Sequence, residues 1–218
     1  MAFIQPSVSE ALRKELDRAA EMSGFIQNTI PQRFTGDTEN VLVGALFSLL
    51  MEHHRAIPHL LGIGSFDGSA LALVRPVVDA AYRAHWIYAC AKPDDLQRIS
   101  NGDSSVYPRY PQIADAVEAQ VDAGGLFLMI KPYIKALHGY THGGLEQLAR
   151  RFSATGNLIP NYSDEEKTEA INATTAHLTA LAIAWCQLVG DQDSAGVSRS
   201  AAISNHYTEH YPLPSMTI

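Results

Sequence analysis

Charge is scarce in this sequence. Only 18% of its 218 residues are Asp, Glu, Lys or Arg. A chain of that length can bury a substantial core, and its low charge suits either an apolar bundle or a protein that hides surface in an oligomer. Cysteine is scarcer still. Cys90 and Cys186 are the only two, and both sit in apolar helical runs, which predicts buried free thiols in a reducing compartment rather than a disulfide framework. No apolar run reaches the ~18 residues of a membrane span, and the N-terminus lacks a basic stretch followed by an apolar core. A cytoplasmic protein with no membrane role is expected. Sixteen basic residues face 23 acidic ones, a net charge of −7, which disfavours sequence-blind nucleic-acid binding by bulk phosphate neutralisation. Arg150 and Arg151 still leave a local basic spot.

Other absences narrow the fold. There is no two-residue alternation, no internal repeat and no Asn-Gly or Asp-Gly hairpin between alternating runs, so strands are not expected. An all-α bundle of about six to seven helices is. Ser7-Val8-Ser9-Glu10 has capping-box spacing ahead of a helix over residues 11–30. A second helix runs from residue 37 or 38 toward 61, kinked or ended at Pro58, and a turn carrying Gly62, Gly64 and Gly68 follows. Residues 69–91 are apolar on nearly all sides, which predicts the central helix, bent near Pro76. A short helix over 96–100, a loop over 101–111 and a helix over 112–121 come next. An apolar helix over 126–137 is interrupted by Pro132, and another spans 145–152. Ser163-Asp164-Glu165-Glu166 repeats the capping-box spacing and opens a long helix to about 189. Residues 1–190 therefore read as one bundle domain, and 191–218 as a polar, irregular tail or partner-wrapping arm.

Two segments carry candidate chemistry. On the central helix Arg75, Asp79 and Arg83 recur at four-residue steps, on one face, followed by His85. Between Leu137 and Gly144 the chain reads Leu-His-Gly-Tyr-Thr-His-Gly-Gly, with His138 and His142 four residues apart beside glycines that permit close backbone approach. If the segments meet, Arg75 and Arg83 engage an anionic ligand and Asp79 orients them. His138 or His142 then exchanges a proton near neutral pH, with Tyr140, Arg150 and Arg151 lining the entrance. The bland alternative is a non-catalytic interaction module in which the same Arg/Asp/His cluster fixes helix register.

A metal site from His138 and His142 with Asp79, His85 or Glu52 ranks last. Neither His-Glu-x-x-His nor the paired Glu-x-x-His of di-iron bundles is present, and adjacent His53 and His54 diverge by about 100° on a helix. No metal and no cofactor are expected. Phosphate-loop, dinucleotide and nucleophile-elbow motifs are also missing.

The order of these pieces, Arg-x-x-x-acidic on an apolar helix, then His-Gly-x-x-His, then a helix with Arg-Arg, resembles uncharacterised bacterial helical proteins loosely related to the HEPN superfamily. The resemblance covers about residues 40–190. It implies a HEPN-like homodimer of bacterial or phage conflict systems with a nucleotide- or RNA-directed cleft and, for active members, metal-independent ribonuclease chemistry from an Arg, four to six residues, then His. Neither His138 nor His142 has an Arg at that distance. Arg199 and His206 satisfy the spacing, but they fall in the Ser-rich tail and read as a chance match. Arg55 and His59 are one residue too close.

Overall fold

The computed structural model describes residues 8–31, 36–121, 124–152, 160–190 and 194–211, which are mostly helix joined by turns and short irregular links, with no β-strand among them. Helix α1 spans Glu10–Thr29 and opens on Ser9, whose Oγ accepts the Leu12 amide at 3.1 Å. Ser7 lies outside the described residues, so the capping signal resolves to its second serine. Leu12, Leu16, Ala19, Met22 and Ile26 recur every three or four residues and are buried, as an amphipathic helix on a bundle requires.

Helix α2 spans Thr38–Ile63 under an Asp37 cap. It does not end at Pro58. The ring only removes the amide that the His54 carbonyl would have used, and the helix runs on until Gly64, whose φ of 74° is the left-handed cap that glycine adopts without strain.

The expected central helix is two pieces, α3 (Asp67–Ala72) and α4 (Val74–Cys90), which meet at Leu73 just ahead of Pro76. The α4 helix packs against α2 and is buried at Val74, Val77, Val78, Ala81, Tyr82, His85 and Trp86. Helices α5 (Pro93–Ser100) and α6 (Tyr110–Val121) follow. The apolar stretch around Pro132 is broken where the proline predicts, into α7 (Leu126–Met129), a 3-10 turn over Lys131–Tyr133, and α8 (Ile134–Thr141). The α8 helix lies on α3 and α4, with the Thr141 hydroxyl donating to the Ala72 carbonyl at 3.3 Å, and α9 (Leu145–Ala149) follows it.

Helix α10 (Asp164–Gly190) shares the centre with α4 and touches α1, α2 and α4. Its start is the reciprocal cap read from the sequence. The Glu166 amide donates to Ser163 Oγ at 3.2 Å, and the Ser163 amide donates to Glu166 Oε2 at 2.9 Å.

One expectation is overturned. The C-terminal segment, expected as a polar irregular tail from residue 191, is largely helix: α11 (Ser194–His210) packs along α10 and α1. The reason is close approach by small residues. A Cβ on Gly196 would lie 2.7 Å from the Cys186 carbonyl oxygen, and one on Gly190 would run into Gly196 Cα. Ser200 is buried and donates to the Ile183 carbonyl at 3.3 Å, while Ile203 and Tyr211 supply the apolar anchors. Burial through glycine and serine leaves no apolar stripe for a pattern search to find.

Candidate functional site

Arg75 and Asp79 are one turn apart on α4 and form an ion pair, with side chains 13% and 29% exposed. The Arg75 guanidinium also donates to the Ile134 carbonyl at the start of α8 at 3.3 Å, and it lies over the Tyr110 ring, 4.4 Å from the centroid. Burial, with the Asp79 carboxylate beside it, pushes the Tyr110 phenol up, so it stays protonated. Arg83 stacks on Tyr107, 5.0 Å from the centroid. Among the described residues Asp79 pairs with Arg75 and not with Arg83. The three-member ladder is thus two cation–aromatic seats joining α4 to the segment around 107–110, and Arg75 is occupied on three sides.

His138 and His142 stand together with ring centroids 4.3 Å apart. Both are exposed, on the last turn of α8 and at its C-cap. Gly143, at a φ of 68°, turns the chain there. The two imidazoles do not pair with Arg75 or Asp79; Ile134 alone links their helix to that guanidinium.

The opposite side of α8 faces an opening. Tyr133, Ala136, Leu137 and Tyr140 recur at helical spacing along one wall of a groove of about 590 Å³, with Val74 of α4 and Ala173 of α10 across it. Glu166, Glu169, Asn172 and His177 add polar groups from α10. Such a volume, mostly apolar with a few convergent polar groups, is typical of small-molecule sites. Neither imidazole of the 138/142 pair lines it.

Tyr140 and Glu166 line this groove and Arg150 meets both of them, while Arg150 and Arg151 themselves stand outside its lining. The Tyr140 and Tyr162 rings have centroids 6.3 Å apart. Arg150 pairs with Glu166, and the Tyr140 hydroxyl followed by the Glu166 carboxylate raises the guanidinium above its usual basicity. Arg151 lies against α3, its Nη2 2.7 Å from where a Cβ on Gly68 would sit. Beneath, Asp67 and Lys167 form a buried pair at 2.9 Å. Asp67 Oδ1 and the Tyr162 hydroxyl are buried without a hydrogen-bond partner among the described residues.

Three histidines are buried: His54 and His85, which the sequence suggested only as metal ligands, and His177, which it did not single out. His54 is fully buried, its Nδ1 2.8 Å from Ser23 Oγ and its Nε2 2.9 Å from Thr175 Oγ1. The Thr175 hydroxyl donates to the Ile171 carbonyl at 2.8 Å. It therefore accepts from Nε2–H, and Ser23 donates to Nδ1. His85 and His177 each donate Nδ1–H to the carbonyl four residues back, Ala81 and Ala173, at 2.8 Å. Burial lowers all three, His54 and His85 to about 4. The available signal was position. Each histidine occupies the inward register of its helix, and of the diverging pair His53 and His54 only His54 is buried.

With the bundle and these clusters in view, comparison with known proteins places the chain. A family of unknown function (DUF6988) matches residues 47–213. The chain belongs to that family, and the match runs through α11. No curated protein and no solved structure matches it.

Proposed function

We propose that this protein is a ligand-binding helical bundle that takes a nucleotide into the groove between α8 and α10. The observation that carries the reading is an apolar opening of about 590 Å³ lined by Tyr140 and Glu166, the two side chains that Arg150 meets. A base is planar and apolar on its faces, which suits the wall of Leu137, Val74 and Tyr140. Asn172 and Glu169 offer hydrogen bonds to its edge. Arg150 and Arg151 are then the groups for a phosphate, Arg150 exchanging Glu166 for it. This keeps the nucleotide- or RNA-directed, HEPN-like class of bacterial and phage conflict systems but relocates the site. His138, His142 and Asp79 have no part in the groove, so the reading is one of binding rather than catalysis.

Calorimetric titration of the full chain with nucleoside monophosphates and the matching nucleosides tests it. Ala173→Trp, which fills the groove, is expected to weaken nucleotide binding at least tenfold, and Arg150→Ala to weaken the nucleotide far more than the nucleoside. Absence of binding at about millimolar ligand, or indifference to Ala173→Trp, ends the proposal.

A second reading, a dimeric interaction module, has its own support. Met129, Tyr133, Leu145, Leu148 and Phe152 are 65%, 61%, 80%, 54% and 52% exposed along α7 to α9, and exposed Met, aromatic and Leu side chains in one region mark contact surfaces. On this reading the Arg75–Asp79–Tyr110 seat is a structural network and the surface is shared with a second copy. Sedimentation of the native chain and of Leu145→Asp/Leu148→Asp tests it, with a dimer lost in the variant.

A further inference from the structure

His206 and His210 are four residues apart on α11, and Glu21 meets them from α1. One ligand atom from each lies within 4.8 Å of the others, the only such grouping of His, Cys, Asp and Glu among the described residues. Glu21 Oε1 is 3.7 Å from His210 Nε2 and 4.0 Å from His206 Nε2. Donors at ~2.0–2.1 Å from a tetrahedral ion are about 3.4 Å apart, so closing round an ion needs only small side-chain movements.

Several features prepare the three groups. His210 Nδ1 is 2.8 Å from the His206 carbonyl oxygen. A carbonyl only accepts, so the proton sits on Nδ1 and the lone pair is on Nε2, the atom nearest Glu21. The His206 ring lies flat on Phe25, with centroids 3.9 Å apart and planes 10° apart, which restrains its rotation. Arg18 donates to the His210 carbonyl at 3.0 Å and holds the end of α11 on α1. Its own charge is engaged by Glu15.

We propose that Glu21, His206 and His210 bind a divalent transition-metal ion of the zinc class, which clips α11 to α1. Two imidazoles and a carboxylate are borderline donors that suit zinc and its neighbours rather than calcium or magnesium. The side chains of His206, His210 and Glu21 are 16%, 33% and 58% exposed, so a further coordination position opens to solvent. The exposed pair His138 and His142 has the same helical spacing, but no carboxylate completes it among the described residues.

The test uses the full, untagged chain stripped with a chelator. Zn2+ is titrated by calorimetry and Co2+ by visible absorption. One tight ion per chain is expected, with the absorption bands of nitrogen- and oxygen-ligated Co2+. The thermal midpoint is expected to rise by roughly 5 °C at about a hundredfold excess over Kd. Glu21→Gln and His210→Gln replace partly exposed side chains, and circular dichroism checks that each variant retains native helicity. Each is expected to weaken Zn2+ binding at least tenfold and to remove the Co2+ bands. His138→Gln/His142→Gln is expected to leave the tight site intact. The proposal is overturned if the native chain takes up no Zn2+ at about 100 µM, if Glu21→Gln or His210→Gln binds as tightly as the native chain, or if tight uptake vanishes in the His138/His142 variant instead.

Discussion

His54 on α2 donates to Thr175 on α10 across 2.9 Å at the centre of the bundle, while Ser23 on α1 donates to the other nitrogen, Nδ1, of the same ring. One neutral imidazole thus ties three helices together. A proton on His54 would take away the lone pair that Ser23 uses and place a charge where no water reaches.

Acid is therefore expected to begin destabilising the protein below about pH 6.5, before most carboxylates take up protons. An imidazole in the unfolded chain has a pKa near 6.5, against about 4 for His54 and His85 in the fold. Between those values the unfolded chain binds more protons. The stability these groups contribute is whole above about pH 6.5 and is lost as pH falls toward 4, on the order of 3 kcal/mol for His54 alone. His177 acts in the same direction. Urea midpoints at about pH 7.5, 6 and 5 check this; an unchanged midpoint across that range would contradict it.

Arg75→Ala is expected to act on stability and not on ligand binding. It removes the Asp79 pair, the bond to Ile134 and the seat on Tyr110 together, a loss of about 1–3 kcal/mol. Denaturant unfolding measures the first effect and nucleotide titration the second.

His138→Ala/His142→Ala is expected to leave stability within about 0.5 kcal/mol of native, because both rings are exposed. A large fall in thermal midpoint would show that the pair belongs to a structural network.

Lys167→Met strands the buried Asp67 carboxylate, which already has one unpartnered oxygen. The expected cost is about 3–5 kcal/mol. Adding Asp67→Asn to the same chain is expected to recover most of it, and a double-mutant cycle in urea isolates the pair.

Gly196→Ala places a methyl group against the Cys186 carbonyl and Gly190. Both obstacles are backbone, so α11 must move. A loss of about 1–3 kcal/mol is expected, and Zn2+ uptake at Glu21, His206 and His210 is expected to fall with it, since the helix carrying two of the three donors shifts.

The helices with apolar stripes and capping residues were legible in the amino-acid order. Ser163 and Glu166 form the cap that their spacing implied, and Pro132 breaks its helix. The α11 helix was not legible, since Gly196 and Ser200 supply much of its buried contact and Ile203 is its one fully buried large apolar side chain among the described residues. Of the candidate site residues, Tyr140 lines the groove and meets Arg150, whereas Arg151 lies against α3 at Gly68. The histidines beside Tyr140 were misleading because side-chain direction on α8 turns about 100° per residue; Leu137 and Tyr140 face the groove, and His138 faces water. The inward ring was His54, whose partners are 31 and 121 residues away, and such pairings appear only once the chain is folded.

The family match begins at residue 47, inside α2, and leaves α1 outside it. Yet Leu12, Leu16, Ala19, Met22 and Ile26 on α1 fill the space against α2 and α10. A recombinant fragment trimmed to the family boundary would start about a third of the way along α2 and strip the cover that α1 gives to α10 and α11. Aggregation, rather than a minimal domain, is what such trimming would yield.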